Sequence, residues 1–364
     1  MTRPTASGRP YAVNGDLRTG RVPPPGGSEV LVFHRGMSGY RPTPLHRLDG
    51  QVGTLGVAAV HLKDESDRLG LPAFKILGAS WALDRALRAR PDTRTVVAAS
   101  AGNHGRAVAR VAARRGVACR VYLPAAASAA RADLIAGESA EVVRVDGDYA
   151  DAVAAAERAA ERPGTTLLTD TSTDVAGADA PAWVIDGYST LFREAATQAA
   201  DAFDVVLVPV GVGSLAAAAV RWAVHEHPTA AVIGVEPVTA ACVTASLQAG
   251  TTVTVPTPGT SMAGLDCAAP SAVAWPTLRD GIAGAIAVTD AEAQQAMRDL
   301  AALGLTIGDC GAATVAALRV LATGDDGAPL RAAVALDRST RVLCVGTEGA
   351  SDPVAYRRTV AGPG

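Results

Sequence analysis

The chain has 364 residues, more than a single hydrophobic core usually organises, and we expect two domains. Hydrophobic residues make up 49% of the sequence and aromatic residues only 4%, which indicates a globular protein with alanine-rich, closely packed helices. The formal net charge of −3, without a basic patch, argues against nucleic acid as a partner. No stretch has the length and apolarity of a membrane helix or a signal peptide, so we predict no membrane association.

The first part of the chain predicts a tail followed by an extended segment. Residues 1–27 are rich in Pro, Gly and Thr, and we expect a flexible N-terminal tail there. An apolar run then ends in Pro42 and Pro44, which fix an extended backbone of the kind that frames a site. A short buried strand at residues 57–62 leads into a polar loop, and a helix is predicted over residues 75–90.

Only two of the 33 basic side chains are lysines, Lys63 and Lys75. Because a guanidinium group does not lose its proton, a chain that otherwise uses arginine is expected to keep lysine where a reactive amine is needed. Lys75 lies between Phe74 and Ile76 at a predicted helix N-terminus, and both settings favour a neutral, nucleophilic amine. The alternative is that both are ordinary surface lysines. Lys63, beside two acidic residues, fits a structural ion pair better than a catalytic amine.

Strand and helix patterns alternate over most of the chain, which implies parallel strands joined by crossover helices. The first series has strands at residues 95–99, 118–123, 141–145 and 165–169 and helices at 103–115, 128–136 and 149–161. The second has strands at 203–209, 231–235 and 340–345 and helices at 214–224, 238–248 and about 289–303. We therefore predict an α/β fold with two domains, each an open and mostly parallel sheet with flanking helices. Residues 90–192 form the smaller domain, and residues 28–89 and 193–364 together form the larger one.

Three glycine-containing turns follow predicted strands, at the edge where open α/β sheets bind ligands. Residues 211–214 run directly into a helix and offer the backbone N–H groups and the hydroxyl that bind phosphate, although such a turn can also simply join a strand to a helix. The turn at residues 100–105 carries Asn103 and His104, which would serve equally well as a helix cap and a buried structural histidine. Thr347 follows the last predicted strand with a hydroxyl group.

These features together match the needs of pyridoxal 5′-phosphate (PLP). The aldehyde of PLP takes an amine such as Lys75, its phosphate takes N–H donors, its ring hydroxyl takes a hydrogen-bond donor, and its ring nitrogen needs a partner. Each turn is ambiguous alone, but the combination predicts PLP as the cofactor. A nicotinamide-binding or other nucleotide-binding protein, and a catalytically silent PLP-fold protein, are the alternatives from a different class.

Short motifs spread from residue 31 to residue 359 resemble the diaminopropionate ammonia-lyase family of fold type II PLP-dependent enzymes in order and spacing. The motifs are Phe33-His34, Tyr40-Arg-Pro-Thr-Pro-Leu45, Lys63-Asp-Glu-Ser66, Ala73-Phe-Lys75, Gly102-Asn-His-Gly105, Asp170-Thr171, Trp183-Val-Ile-Asp-Gly-Tyr188, Gly211-Val-Gly213, Val235-Glu236-Pro237, Met262-Ala-Gly-Leu265, Thr347-Glu-Gly349, Asp352 and Tyr356-Arg357. Because they cover most of the chain, the resemblance is more specific than any single motif. It implies the tryptophan synthase β-like architecture, with the cofactor between two domains.

The resemblance implies a role for each candidate site residue. Lys75 binds the PLP aldehyde and takes the Cα proton of the substrate, and Asp170 assists departure of the β-substituent by proton transfer. The other cofactor-binding residues are Asn103 for the ring hydroxyl, Gly211, Val212, Gly213 and Ser214 for the phosphate, and Thr347 near the ring nitrogen. Substrate-side candidates are Thr43, Ser100, Ala101 and His104. No metal site is expected, because no set of three or four ligands is apparent.

One position departs from the family. Where the family has an aspartate in an Asp-Gly-Asn-His-Gly run, this chain has Ala101. In the family that carboxylate is the base for the D-isomer, on the face opposite the lysine, and alanine cannot accept a proton. We therefore predict that the enzyme is restricted to L-amino acids.

The function implied by the resemblance is α,β-elimination of ammonia from a small L-amino acid. L-2,3-Diaminopropionate matches best, and it would give pyruvate and ammonia through aminoacrylate. A serine/threonine dehydratase or a β-replacement synthase that acts through aminoacrylate is the alternative within enzymes. The family further implies a homodimer. Five scattered cysteines without metal-type spacing indicate free thiols in a cytoplasmic protein.

Overall fold

The computed structural model describes residues 8–172, 174 and 179–362, and over that part of the chain it contains eleven strands and fourteen α-helices. The strands are β1 (Tyr11–Val13), β2 (Leu45–Arg47), β3 (Ala59–Asp64), β4 (Thr95–Ala99), β5 (Ala118–Pro124), β6 (Glu141–Val145), β7 (Thr165–Leu167), β8 (Val205–Pro209), β9 (Ala231–Pro237), β10 (Gly284–Val288) and β11 (Arg341–Gly346). The helices are α1 (Ser28–Arg35), α2 (Asp49–Leu55), α3 (Ile76–Ala89), α4 (Asn103–Arg114), α5 (Ala129–Ala136), α6 (Tyr149–Ala160), α7 (Asp179–Gln198), α8 (Ser214–Glu226), α9 (Cys242–Ala249), α10 (Trp275–Gly281), α11 (Asp290–Ala302), α12 (Asp309–Thr323), α13 (Ala328–Ala333) and α14 (Pro353–Ala361).

The larger of two structural units holds a seven-stranded sheet within the described residues, in the order β1-β10-β9-β8-β11-β3-β2. β1 and β2 pair antiparallel at the two edges, and the five strands between them run parallel. Every residue of β8 is buried, as expected for a parallel strand whose sheet is covered by helices on both faces. Val205, Leu207 and Ile233 belong to the same hydrophobic core as Leu318 and Leu321 of α12.

The smaller unit holds a four-stranded parallel sheet in the order β6-β5-β4-β7. α6 contributes Ala152, Ala156 and Ala159 to a core that also contains Val97 of β4 and Tyr122 of β5. Because alanine side chains are short, the helix can lie close to the sheet, and no large aromatic side chains are needed to fill the space between them. Both sheets are open and mostly parallel with flanking helices, which confirms the predicted fold class.

The chain divides into these units at positions that differ from the predicted domain boundaries. The larger unit comprises the described residues up to 25, residues 41–74 and those from 189 onward, and the smaller comprises residues 26–40 and 75–188. Both α1 and α3, which the sequence places in the larger domain, therefore belong to the smaller unit. The reason is side-chain packing: Phe33 of α1 lies edge-on to Trp81 of α3, and His34 Nε2 lies 3.0 Å from the Leu77 carbonyl oxygen.

The prediction of a flexible tail over residues 1–27 is wrong for much of that segment. β1 pairs with β10, with Tyr11 opposite Ile286. Arg9 anchors the start of this strand, because its guanidinium lies 2.7 Å from Glu292 and 3.2 Å from Asp326. Residues 1–7 lie outside the described part of the chain.

The predicted strands and helices of both α/β series are present, and the strands at residues 95–99 and 141–145 coincide with β4 and β6. The sequence misses β10, because a five-residue apolar run does not distinguish a strand from a buried helix segment. The sequence also predicts no helix over residues 181–188, which lie within the 20-residue helix α7. Among the described helices, none is long and apolar enough to cross a membrane.

Candidate active site

The loops after β4 and β7 lie side by side at the carboxyl edge of the smaller sheet. The chain runs from β4 outward to β5 and β6 and then returns to the other side of β4 as β7, so the loops that follow β4 and β7 flank a crevice. Open α/β sheets bind ligands at such a switch point. Residues 100–105 follow β4, Asp170 follows β7, and Lys75 reaches the same place from the start of α3.

Lys75 and Asp170 form an ion pair in which Nζ lies 2.6 Å from Oδ2. Lys75 immediately precedes α3, as predicted, and the two side chains are 23% and 16% exposed. A local turn holds the backbone around Asp170, because the Thr169 hydroxyl donates to the Thr171 carbonyl at 3.0 Å. The sequence predicts a neutral amine at Lys75, whereas a carboxylate this close stabilises the ammonium form.

His104, in the first turn of α4, lies behind Asp170. Its Nε2 lies 3.2 Å from the Leu168 carbonyl oxygen, and its Nδ1 lies 3.7 Å from Asp170 Oδ2. Because a carbonyl can only accept, Nε2 carries a hydrogen and Nδ1 is the atom that faces the carboxylate. Burial lowers the pKa of His104 and favours the neutral ring, although Asp170 opposes this effect.

The charge state of Asp170 follows from its neighbours. Burial raises the pKa of Asp170, but attraction to His104 and Lys75 more than offsets this and holds the pKa below its usual range. Since burial favours a neutral His104, the ammonium of Lys75 is the more important of the two partners. The pair therefore holds one proton between an amine and a carboxylate.

The turn at residues 100–105 is built by close backbone approach. A Cβ on Gly105 would lie 2.3 Å from the Ser100 carbonyl oxygen, so only glycine fits there. Gly102 N donates to the Ser100 hydroxyl at 3.3 Å, and Gly102 rather than Asn103 is the N-cap of α4. The alternative role of Asn103 as a helix cap is therefore wrong. Ala101 is half-buried in this turn.

Tyr188 is a residue of this region to which the sequence analysis assigned no role. Its side chain is fully buried, and a Cβ on Gly78 would lie 2.6 and 2.8 Å from two of its ring carbons. Burial raises the pKa of Tyr188, and the nearby charge of Lys75 acts in the opposite direction. The sequence contains only one indication of its position, namely the motif that ends at Tyr188.

A second switch point lies in the larger unit. The chain runs from β8 to β9 and β10 on one side, and β11 lies on the other side of β8, so the loops after β8 and β11 flank a crevice of that sheet. The turn at residues 211–214 follows β8, and Thr347 follows β11. The Val212 carbonyl accepts a hydrogen bond from Ser271 N at 2.8 Å, which fixes the turn in place.

Both glycines of this turn are required by its geometry. A Cβ on Gly211 would lie 2.9 Å from the Gly264 carbonyl oxygen and 3.0 Å from Cys267 Sγ. Gly213 has φ +96°, in the left-handed region, and is the N-cap of α8. Ser214 is the first residue of this 13-residue helix and is buried. The turn therefore presents a helix N-terminus, which has a positive electrostatic potential that suits an anion.

Thr347 carries a buried hydroxyl for which the described residues provide no hydrogen-bond partner. Its carbonyl oxygen accepts from Phe74 N at 3.2 Å, and Phe74 is the residue immediately before Lys75. A buried hydroxyl without a partner is costly, so the Thr347 oxygen is a candidate contact for a bound group.

Thr43 and Lys63 belong to a buried ion-pair network. Lys63 Nζ lies 2.8 Å from Glu194 Oε2 and 2.7 Å from the Thr43 carbonyl oxygen. Arg68 lies 2.7 Å from Glu194 Oε1, and the Thr43 hydroxyl donates to Glu65 at 2.7 Å. The structural role predicted for Lys63 is confirmed. The Thr43 hydroxyl is committed to Glu65, so these contacts give no support to a substrate-side role, which stays a prediction.

Asp309, Cys310 and Glu348 form a cluster that the sequence analysis did not single out. Their potential ligand atoms all lie within 4.8 Å of one another. Burial, together with the charge of Glu348, raises the pKa of Asp309 to about 7. The cluster lies beside Thr347 in the chain and adds an acidic group to the carboxyl edge of the larger sheet.

Comparison with known proteins shows the family. A family model described as pyridoxal-phosphate dependent enzyme matches residues 37–336. This chain belongs to the PLP-dependent enzymes, of fold type II, and PLP is their cofactor, as the sequence predicts.

Within the family the chain is similar to diaminopropionate ammonia-lyase. It is 34% identical to the enzyme of Salmonella typhimurium over 92% of this chain and 91% of that one. A crystal structure of the Escherichia coli diaminopropionate ammonia-lyase, in complex with an aminoacrylate-PLP azomethine reaction intermediate, matches with a TM-score of 0.88, 30% identity and 96% coverage of both chains. An L-threonine dehydratase of Corynebacterium glutamicum is 34% identical over 59% of this chain and 48% of its own length.

Three features of the structure fit the binding of PLP. The turn needs glycine at position 211, where a Cβ would meet the Gly264 carbonyl, and at position 213, where φ is +96°, and it ends at the N-terminus of α8, which suits a phosphate. Thr347 offers a buried hydroxyl that lacks a partner among the described residues. Lys75 supplies the amine.

Proposed function

We propose that this enzyme removes ammonia from L-2,3-diaminopropionate by PLP-dependent α,β-elimination and releases pyruvate and a second ammonia. The observation that carries the proposal is an amine, Lys75, 2.6 Å from a carboxylate, Asp170, at the switch point of the smaller sheet. Elimination needs one group to take a proton from Cα and another to give a proton to the leaving amine. The similarity to diaminopropionate ammonia-lyase over 92% of the chain supports the same reaction.

We assign the cofactor contacts to residues whose local structure suits each part of PLP. Bound PLP withdraws electrons from the substrate Cα and makes its hydrogen acidic. The N-terminus of α8 suits the phosphate dianion, and the buried Thr347 hydroxyl suits the ring nitrogen. The assignments are Lys75 for the aldehyde, Asn103 for the ring hydroxyl, Gly211, Val212, Gly213 and Ser214 for the phosphate, and Thr347 for the ring nitrogen.

The proton path runs through side chains of the smaller unit. With the shared proton on Asp170, the neutral Lys75 amine takes the Cα proton, and Asp170 gives its proton to the β-nitrogen as the Cβ–N bond breaks. His104 supports this path, because the neutral ring can accept a proton on Nδ1, 3.7 Å from Asp170. The Cα–H and Cβ–N bonds are lost and a Cα=Cβ bond forms. One water then converts 2-aminoacrylate to pyruvate and the second ammonia, so two ammonia molecules appear for each pyruvate.

Product stoichiometry tests the proposal. Purified enzyme is incubated with L-2,3-diaminopropionate, and pyruvate and ammonia are measured separately. We expect two ammonia molecules for each pyruvate and no product with Lys75→Ala. Failure to release pyruvate from this amino acid, in a preparation that binds PLP, would overturn the proposal.

The same assay distinguishes the related activities. A dehydratase releases one ammonia for each keto acid from L-serine or L-threonine, and the partial similarity to a threonine dehydratase makes these substrates the appropriate comparison. A β-replacement synthase consumes the amino acid but makes little pyruvate once a nucleophile is supplied. Faster turnover of either hydroxy amino acid than of diaminopropionate would favour the dehydratase.

Ala101 supports a preference for the L-isomer. It lies in the turn after β4, where a side chain without a proton acceptor cannot act as a base. We expect turnover of D-2,3-diaminopropionate far below that of the L-isomer, and a gain of D-isomer turnover in Ala101→Asp. D-isomer turnover in the parent enzyme at a rate near that of the L-isomer would contradict this preference.

We further propose a homodimeric, cytoplasmic enzyme. All five cysteines are free thiols in the structure, which supports a reducing compartment. Light scattering coupled to size-exclusion chromatography tests the oligomeric state, and a monomer mass at micromolar concentration would contradict the dimer.

A further inference from the structure

Glu236 is a buried carboxylate in β9 to which the proposed reaction assigns no role. Its side chain has no exposed surface, and within the described residues it pairs with no basic side chain. Its carboxylate accepts hydrogen bonds from Val243 N at 2.7 Å, from Thr244 N at 2.8 Å and from the Thr244 hydroxyl at 2.7 Å. Burying a carboxylate without a cation is costly, and these three hydrogen bonds offset that cost.

The three hydrogen bonds fix the first turn of α9. The helix begins at Cys242 after Ala241, and alanine has no side-chain atom that can cap a helix. The N–H groups of Val243 and Thr244 are among the four that the start of a helix leaves without an internal partner. Glu236 therefore does from β9 what a cap residue usually does from the helix itself. Because Val243 N belongs to the same peptide unit as the Cys242 carbonyl, its hydrogen bond also fixes the backbone of Cys242.

Cys242 connects the start of α9 to the turn that follows β8. Its side chain is buried, and its Sγ donates a hydrogen bond to the Gly211 carbonyl oxygen at 3.7 Å. The backbone makes a second connection, because Val210 N donates to the carbonyl of Val235, the residue before Glu236, at 2.8 Å. The turn is thus tied to β9 twice, once directly through the backbone and once through side chains and α9.

We propose that Glu236 is a positioning residue for the turn at residues 211–214, on which it acts through the start of α9 and Cys242. The carboxylate holds the first turn of α9, and Cys242 holds the Gly211 carbonyl. Because a peptide unit is planar, a fixed Gly211 carbonyl also fixes the direction of the Val212 N–H, which points the opposite way. The inference rests on the proposed assignment of this turn to the PLP phosphate.

The affinity for PLP, compared with that for pyridoxal, tests the proposal without catalysis. Pyridoxal has the same ring and aldehyde but no phosphate, so its binding does not use the turn. The full-length protein is freed of cofactor and titrated with each compound, and fluorescence gives the two dissociation constants. Burial raises the pKa of Glu236 to about 7, so the titrations are run at about pH 8, where the carboxylate is charged.

Glu236→Gln keeps the shape of the side chain but replaces one oxygen by an amide nitrogen that donates toward an N–H group. We expect the dissociation constant for PLP to rise by roughly three- to tenfold, because hydrogen bonds that hold the turn are lost. The dissociation constant for pyridoxal should stay that of the parent protein. If Glu236→Gln does not fold, Thr244→Val removes one of the three hydrogen bonds and should give a smaller loss of the same kind.

Three further variants separate positioning from general damage. Cys242→Ala removes the other end of the connection and should also weaken the binding of PLP but not of pyridoxal. Since Glu236 acts through Cys242, the double variant should bind PLP no more weakly than the more affected single variant. Cys344→Ala is the matched control, because it deletes a fully buried sulfur from β11 of the same unit and should bind PLP as the parent protein does.

Unchanged PLP affinity in folded Glu236→Gln overturns the proposal, and so does an equal loss of affinity for PLP and pyridoxal. Additive losses in the double variant overturn it as well, because Glu236 would then not act through Cys242. A parent protein that binds pyridoxal as tightly as PLP would contradict both the phosphate assignment of the turn and this inference. An enzyme that shows the selective loss but does not act on diaminopropionate would contradict the proposed function and leave the role of Glu236 in place.

Discussion

Lys75 Nζ and Asp170 Oδ2 lie 2.6 Å apart, although 95 positions separate the two residues in the chain. Lys75 comes from the beginning of α3, and Asp170 comes from the loop after β7. The two meet because β7 pairs with β4 on the side opposite β5 and brings its loop to the switch point. The pair places an amine and a carboxylate, the two groups of the proposed proton path, within hydrogen-bonding distance.

Asp170→Asn should separate proton transfer from cofactor binding. The amide has the same shape but cannot carry the proton to the leaving amine, so we expect kcat to fall by about 10²- to 10⁴-fold. PLP absorbance should persist, because Lys75 is unchanged. Steady-state kinetics with L-2,3-diaminopropionate and the visible spectrum measure the two effects. A kcat close to that of the parent enzyme would remove Asp170 from the proton path.

Lys63→Met tests the buried ion-pair network. Lys63 and Glu194 are 0% and 2% exposed, so loss of the amine leaves buried carboxylate charge without one of its partners. We expect a loss of about 3–5 kcal/mol in the free energy of unfolding. Arg120→Ala is the control, since it breaks the exposed pair with Glu141 at a similar distance and should cost far less than Lys63→Met. Urea denaturation measures both, and similar losses would contradict the structural assignment of Lys63.

Gly211→Ala should weaken PLP binding through the phosphate turn. The new methyl group would meet the Gly264 carbonyl at 2.9 Å and must displace the turn. We expect PLP affinity to fall by about tenfold or more, because a helix N-terminus binds an anion only at close range. Gly20→Ala, with open space around its Cβ position, should bind PLP as the parent protein does. Fluorescence titration of the cofactor-free variants gives the dissociation constants.

Asp309 should make the cofactor-free protein less stable as the pH rises. Burial and the charge of Glu348 raise the pKa of Asp309 from 3.8 to about 7. The folded state therefore holds a proton that the unfolded state has lost, and this contribution to stability disappears as the pH rises through about 7. We expect the free energy of unfolding to fall more steeply between about pH 4 and pH 7 in the parent protein than in Asp309→Asn. Parallel slopes in urea denaturation across this range would contradict the raised pKa.

Much of the fold follows from local sequence patterns. The alternation of apolar runs with amphipathic segments predicts both α/β series, and β4 and β6 have the predicted ends. Elements are missed where the local pattern is ambiguous, as in the short apolar β10. The edge strand β1 is missed for a different reason. This strand forms through pairing with β10 and through the ion pairs of Arg9 with Glu292 and Asp326, which are distant in sequence.

The sequence by itself predicts Lys75 as the cofactor amine, and it identifies the glycine turns and the substitution at Ala101, because each depends on residue types at fixed spacing. Only the tertiary structure decides which distant groups surround that amine. Strand order brings Asp170 to Lys75, and the absence of a side chain at Gly78 lets the Tyr188 ring pack against the first turn of α3. Contacts between residues about 100 positions apart depend on how sheets and helices pack, and no local pattern encodes that packing.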